Sequence, residues 1–301
     1  MSEVDFPDQH DYLPHMQTSN LKTLLLAIFT TCVLISSSPL AAQEARGREA
    51  PEEATGIAEK KLVTAKKHMV VAANPHAVRA GREILRAGGS AIDAAIAVQL
   101  VLNLVEPQSS GIGGGAFLLH WSNNDRKLIS YDGRETAPDA AKSDRFLIDG
   151  ERMPFRKAVR SGLSIGVPGL IAMLKLTHEK HGKLPWAKVF EPAIELSEKG
   201  FAVSPRLHAL LLYVGVEHFD AKAQSYFFDA DGKPWPVGHV LINKEFGETL
   251  RSIARDSVDA FYKGAIAKKI VTAVQGAHNT PGDMTFADLA TYKAKTREPV
   301  C

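Results

Sequence analysis

The chain has 301 residues, 45% hydrophobic and 23% charged, with a formal net charge of +2. That is the balance of an ordinary globular protein with enough chain for one large core or two small ones. It points away from nucleic acid, which would need clustered Lys and Arg on a fold that presents them; Lys60, Lys61, Lys66 and Lys67 read as a solvated flank.

Residues 1–42 carry an address. Lys22 precedes an apolar run of 12 residues, Leu24 to Ile35, and Ser-Ser-Ser-Pro-Leu-Ala41-Ala42 follows. This order of charge, apolar stretch and small-residue exit is that of a signal peptide, with cleavage expected after Ala42 and export, to the periplasm, as the consequence. The first fifteen residues are long and acidic for the charged region, so Met16 competes with Met1 as the start. A retained membrane anchor is the alternative, but the run is short of the ~20 residues a span needs. Cys32 falls inside the run, where Phe29-Thr-Thr-Cys32 matches a lipidation signal poorly, and Cys301 is the last residue, so the mature chain has no intramolecular disulfide to form. Residues 43–62 are rich in Glu, Lys and Ala with no apolar period and predict a flexible leader, and residues 63–301 a domain.

The most informative stretch runs from Met69 to Pro138. A short apolar strand is expected at Met69, then a helix opened by Asn74 and Pro75 and closed by Gly88-Gly89. Val78, Gly81, Ile84 and Leu85 share its inner side, and Arg79, Arg82, Glu83 and Arg86 face water. Ser90 and Asp93 form a capping box for a second helix, apolar nearly all round through Leu104, hence a central core helix, and Glu106-Pro107 ends it. Gly111, Gly113 and Ala116 fit a dinucleotide fingerprint, with Glu135 about 20 residues on. The fingerprint must follow a strand and open a helix; here a helix precedes and a strand follows, so the glycines are read as letting backbone pass close to a neighbour or a ligand. Two strands, Phe117 to Trp121 and Leu128 to Tyr131, read as a hairpin across Asn123-Asn124-Asp125.

Beyond an irregular polar stretch to Arg160, amphipathic helices are expected from Gly169 to His181 and from Pro185 to Gly200, the latter kinked at Pro192. Others are expected from Ser204-Pro205, over 246–255 and 261–274, and after the Thr285/Asp288 capping box. A helical layer over a sheet is the plain reading. His178 and His181 share a helix face without a third ligand nearby, which argues for no metal; no G-x-S-x-G elbow is present, and nothing here looks like an intact catalytic machine.

Four segments in fixed order make the chain resemble the γ-glutamyltranspeptidases. They are Met69-Val-Val-Ala-Ala-Asn-Pro-His-Ala; Gly88-Gly-Ser-Ala-Ile-Asp93-Ala-Ala; Pro107-Gln108 with Gly111-Ile-Gly-Gly-Gly-Ala-Phe117; and Asp132-Gly-Arg134-Glu-Thr-Ala-Pro138. Gly166-Val-Pro-Gly169, His181-Gly-Lys-Leu-Pro-Trp186, Phe261-Tyr-Lys-Gly-Ala-Ile-Ala267 and Asp288-Leu-Ala-Thr-Tyr292 continue the likeness. The resemblance implies an α+β fold, the helix-rich and incomplete large-subunit portion of the αββα sandwich of N-terminal nucleophile hydrolases. It implies a γ-glutamyltransferase or glutathione hydrolase whose precursor cuts itself, freeing a threonine that attacks the γ-glutamyl carbonyl. That threonine lies downstream of the matched region, so no catalytic residue is expected in this chain and the chain alone should be inert.

The partners implied are glutathione and other γ-glutamyl compounds, an amino acid, peptide or water acceptor, and a small subunit from the same precursor. No cofactor, metal or nucleic acid is implied, and a membrane only through an uncleaved signal. One substrate-binding residue is implied: Arg134, matching the family arginine that grips the glutamyl α-carboxylate; from the residues alone, a turn arginine paired with Asp132 or Glu135 fits equally. Two other readings stand beside this one: a related acylase acting on a β-lactam side chain or polyglutamate, and a non-catalytic exported binding fragment. N-terminal sequencing of the exported form is expected to start at Gln43; a mature start upstream of Lys22 would overturn the signal reading.

Overall fold

The computed structural model describes residues 62–300. The signal segment, the leader up to residue 61 and both cysteines lie outside the described residues. Asn74 sets the first element by accepting the His76 amide at 3.0 Å, and Pro75 supplies a fixed φ for the first turn of α1 (Pro75–Arg86). The helix buries Ala77, Ala80, Gly81 and Ile84 and ends beside Gly88, whose φ of 91° suits glycine alone. Met69 to Val71, expected as a strand, is irregular, and Val71 is exposed. No strand among the described residues pairs with it, and Val70 instead packs at Gly81 beside Val98.

The capping box at α2 (Ala91–Val105) forms as expected: Asp93 N–H donates to Ser90 Oγ at 3.1 Å, and Ser90 N–H donates to Asp93 Oδ2 at 2.8 Å. Asp93 is wholly buried, and the same oxygen accepts Lys183 N–H at 2.9 Å and Leu184 N–H at 3.1 Å. A local cap therefore also fastens a loop ninety residues away. Along α2, Ile96, Leu100 and Val101 are buried, each worth roughly 1.5–3 kcal/mol against exposure. At its end the buried Glu106 carboxylate accepts Asn74 Nδ2 at 2.8 Å and Gln108 Nε2 at 2.6 Å, with Arg206 Nε 3.6 Å away. Asn74 thus caps one helix and fixes the end of the next.

Strands β1 (Ala116–Ser122) and β2 (Lys127–Gly133) form the expected hairpin, with Ala116 opposite Gly133 and Trp121 opposite Leu128. The later strand β7 (Lys295–Arg297) adds antiparallel to β2 and gives the order β1-β2-β7. Its Lys-Thr-Arg sequence has no apolar alternation to announce a strand. One sheet face buries Tyr131; on the other, Phe117, Leu119 and Trp121 are 64%, 65% and 50% exposed.

The stretch after Pro138, expected to be irregular, holds a small hairpin, β3 (Leu147–Ile148) and β4 (Glu151–Arg152), and a short helix α3 (Phe155–Val159). Arg145 pins it, meeting the Asp283 carboxylate with both Nη atoms at 2.7 Å and Leu163 O with Nε at 2.7 Å. Helix α4 (Leu170–His181) buries Leu170, Met173, Leu174 and Thr177, as its pattern predicts, and packs on β2 and α2. The kinked helix expected from Pro185 is instead a 3-10 turn over Trp186–Phe190 followed by α5 (Glu191–Lys199). Pro192 falls in the first turn of α5, where a missing N–H costs nothing, so it starts a helix rather than bending one.

The rest of the chain is β5 (Phe201–Ala202), α6 (Pro205–Val214), α7 (Ala221–Phe227), β6 (Val240–Leu241), α8 (Lys244–Tyr262), α9 (Ala265–Gln275) and α10 (Phe286–Thr291). Phe261 and Tyr262, expected to open a helix, close α8, and Gly264 starts the next. Among the described residues no helix is long and apolar enough to cross a membrane. Within α8, Ser257 has φ 59° and ψ −156°, a region left essentially to glycine that costs other residues ~1–3 kcal/mol. Ser257→Gly is therefore expected to raise Tm by roughly 2–4 °C in a thermal melt followed by circular dichroism; an unchanged or lowered Tm would show that serine is at ease there.

Candidate substrate-binding site

Three glycines from distant segments meet backbone to backbone and build the site. A Cβ on Gly115 would lie 2.6 Å from Gly133 O, 2.8 Å from a Glu135 carboxylate oxygen and 2.9 Å from Arg134 Cα. Gly133 abuts Met173, and Gly169 abuts both Gly133 O and the Tyr292 hydroxyl. Gly114 O accepts the amides of Gly169 at 3.0 Å and Leu170 at 3.1 Å, joining the glycine turn to the start of α4. Gly111 and Gly113 have open space where a side chain would stand. The sequence expectation of close approach therefore holds for Gly115, while Gly111 and Gly113 leave room beside it.

On the other side, Gln99 Nε2 donates to Asn103 Oδ1 and to Ser110 Oγ, both at 2.7 Å, and Ser110 Oγ donates to Asn103 Oδ1 at 2.5 Å. These bonds hold the turn against α2. Between them lies an open cavity of about 500 Å³ lined by Gln99, Ser110, Gly113, Gly115, Arg134 and Glu135.

Arg134 is the cation of this cavity, and its backbone is held at both ends. Its N–H donates to Asp132 Oδ1 at 2.9 Å, and its carbonyl accepts the Tyr292 hydroxyl at 2.7 Å. The side chain is 60% exposed, and Nη1 meets Glu135 Oε2 at 2.5 Å. The plain sequence reading, a turn arginine paired with a neighbour, is thus met in part; Nε and Nη2 remain to donate elsewhere. Asp132 Oδ2 accepts Arg297 Nε at 2.5 Å. The Arg134 N–H, and then Arg297, hold the Asp132 carboxyl below the usual aspartate range against partial burial. Burial, with the nearby Asp132 and Glu135 carboxylates, pushes the Tyr292 hydroxyl up to about 12, so it stays a donor. Tyr292 stacks on Tyr262, which donates to Pro168 O at 2.8 Å.

Arg297, Tyr292, Gln99 and Ser110 were not legible from the sequence as members of this arrangement. Tyr292 lies 158 residues from the carbonyl it binds, and only its place in an ordered motif set it apart. His178 and His181 do not share a ligand. His178 Nε2 lies 2.9 Å from Leu184 O, while His181 Nε2 contacts the Tyr131 hydroxyl at 2.6 Å and its ring stacks on His120 at 4.0 Å. Burial first, then His120 and Lys180, lowers the His181 pKa. Among the described residues no cluster of His, Cys, Asp and Glu has the makings of a metal site.

An exposed guanidinium at a glycine-walled opening has the chemistry and the free donors to meet a carboxylate. Residues 77–301 match the gamma-glutamyltranspeptidase family model. The chain is 34% identical over 278 residues to a glutathione hydrolase proenzyme of Bacillus subtilis, covering 92% of this chain and 46% of that relative. It superposes on the gamma-glutamyltranspeptidase of Helicobacter pylori with a TM-score of 0.74 at 31% identity, over 80% of this chain and 68% of that one. It also superposes on a cephalosporin acylase from Bacillus halodurans at 0.69 and 32%, over 84% and 47%. The chain belongs to the γ-glutamyltranspeptidase family and has its α+β N-terminal nucleophile hydrolase fold. It spans about half the length of the curated Bacillus subtilis relative.

Because its folded pKa is depressed, Asp132 contributes stability above the ordinary aspartate range that is lost as pH falls through that range. The Tm gap between wild type and Asp132→Asn is therefore expected to be widest near pH 7 and to close as pH falls below ~3.9. An equal gap at pH 7 and pH 3 would show that the charge does not hold the corner.

Proposed function

We propose that this chain is the N-terminal, substrate-gripping part of an exported γ-glutamyltransferase or glutathione hydrolase. The observation that carries the reading is Arg134, presented at the cavity mouth on the family's Asp-Gly-Arg-Glu motif with its backbone held by Asp132 and Tyr292. The guanidinium grips the α-carboxylate of a γ-glutamyl group through the donors that Glu135 leaves free. Glu135, paired to Nη1, sets the direction of the fork. Gly113 and Gly115 leave room for the glutamyl chain to lie against backbone. A charge-assisted bond of this kind is worth roughly 1.5–3 kcal/mol.

The reacting nucleophile, a threonine freed by self-cleavage, comes from a small subunit of the same precursor. Its α-amine serves as base, a γ-glutamyl ester forms on its hydroxyl, and water or an acceptor amine releases it. Two facts support a second part: the matched relative is named a proenzyme, and the sheet leaves Phe117, Leu119 and Trp121 uncovered on one side. Apolar surface of that kind is usually covered by a partner. Residues 1–42 direct export, and residues 63–301 form the large-subunit domain. The likeness to a cephalosporin acylase supports a second reading, an acylase acting on a β-lactam side chain. A panel of glutathione, polyglutamate and cephalosporin substrates separates the two.

In the complete enzyme, Arg134→Lys keeps the charge and loses the fork. It is expected to raise KM for glutathione about tenfold or more, ~1.4 kcal/mol per decade. An unchanged KM would remove Arg134 from the site.

A further inference from the structure

The last residue of α4, His181, is clasped by both strands of the hairpin. His120 of β1 stacks on its imidazole, with ring centroids 4.0 Å apart and planes 26° from parallel. Tyr131 of β2, wholly buried, meets it edge to face and brings its hydroxyl to 2.6 Å from His181 Nε2. His120 is on the half-buried side of β1, between exposed Leu119 and Trp121, and its Nδ1 is buried without a hydrogen-bond partner. Such packing suits neutral rings. Burial raises the Tyr131 pKa, so the phenol keeps its hydrogen and can donate it to an unprotonated Nε2. A proton on His181 would turn that bond round and set a cation against a second imidazole.

Little nearby offsets such a charge. On α4, Lys180 reaches over the Tyr131 ring at 5.3 Å and donates to Thr296 Oγ1 of β7 at 3.0 Å, and His178 turns away to Leu184 O. In the β1–β2 turn, Asp125 is the carboxylate that acts on His181, but it is engaged by Ser122 Oγ at 2.6 Å, while Arg126 lies over Trp121 on the other sheet face. The histidine ion pairs among the described residues are His178 with Asp93 and His218 with Glu217; the stacked pair has none.

Helix α4 is thus tied to the hairpin region at both ends, by the Gly169 and Leu170 amides on Gly114 O at its start and by His181 at its close. We propose that His120, Tyr131 and His181 form a pH-sensitive latch, which fastens the end of α4 to the β1–β2 hairpin while both imidazoles are neutral and releases it in mildly acidic surroundings. The latch rests on the fold alone and not on the Arg134 reading. Burial, His120 and Lys180 hold the His181 pKa below the ordinary histidine value. A histidine lowered in this way contributes stability that is complete above about 6.5 and is lost as pH falls below it.

The test is hydrogen exchange followed by mass spectrometry on the complete protein expressed from its own gene, at pH 7.5 and pH 5, with rates corrected for the intrinsic pH dependence of amide exchange. Peptides covering β1 and the end of α4 are expected to lose protection several-fold or more at pH 5, while those from α5, which contains no histidine, keep theirs. His120→Phe keeps an aromatic stack and removes one charge, so the loss should shrink. His120→Phe combined with His181→Phe should abolish it, and His120→Phe decides the matter by itself if the double variant does not fold. Unchanged protection at pH 5, an equal loss in α5, or an undiminished loss in either variant would each overturn the proposal.

Discussion

The contact among Gly115, Gly133 and Gly169 is the constraint on which the site depends. It brings the exit of the glycine turn, the end of β2 and the start of α4 within backbone contact, and any side chain at Gly115 would strike main-chain atoms that have nowhere to move. Flexible side-chain tips can yield to a tight neighbour; backbone held in a strand or at a helix start cannot. Arg134 directly follows Gly133, so the direction in which its guanidinium leaves the sheet is fixed by this contact and by the Tyr292 hydroxyl on its carbonyl. Precision in a binding fork comes from rigid surroundings, because a charged side chain with free rotamers gives up much of its bond energy in ordering.

Long-range ties of this sort recur through the molecule, and most are made by residues that also serve a local purpose. Asp93 caps α2 and fastens the loop after α4 through one oxygen. Asn74 caps α1 and holds the buried Glu106. Asp288 belongs to the cap of α10, accepting Thr285 N–H at 2.7 Å, and also takes Asp139 N–H at 2.9 Å. A cap supplies an acceptor with a second lone pair to spare, so a helix start is a natural place to anchor a distant strand of chain. Asn103 closes a polar network at the glycine turn, its one oxygen accepting from both Gln99 and Ser110.

Much of the fold was legible because its signals are local. The Asn74-Pro75 and Ser90/Asp93 helix starts, the all-apolar α2 and the β1–β2 hairpin are read from residues within a few positions of one another, and each forms with nearly the expected bounds. Pro192 was misread, since a proline in the first turn of a new helix and one kinking an old helix look alike until the neighbouring hydrogen bonds are known. The strand expected at Met69 failed because a strand needs a partner, and β7 was missed because its partner supplied the pairing that its own residues did not advertise. The break at Ser257 was invisible, as nothing in a serine's side chain announces a glycine-like conformation.

The sequence by itself determined the family, through an ordered series of short motifs, and marked Arg134 as the residue to watch. It also determined the helix caps and the buried face of each amphipathic helix, because those follow from periodicity and from hydrogen bonds that close within one turn. Only the tertiary structure decided that Arg134 is held by both of its neighbours, through the Asp132 carboxylate on its amide and Glu135 on its guanidinium, and by Tyr292 from far along the chain. It alone showed that Arg297 shares the Asp132 carboxylate and that His178 and His181 part company. The physical reason is that these are contacts between segments separated by tens to more than a hundred residues, fixed by how the core packs, and no local spacing encodes them.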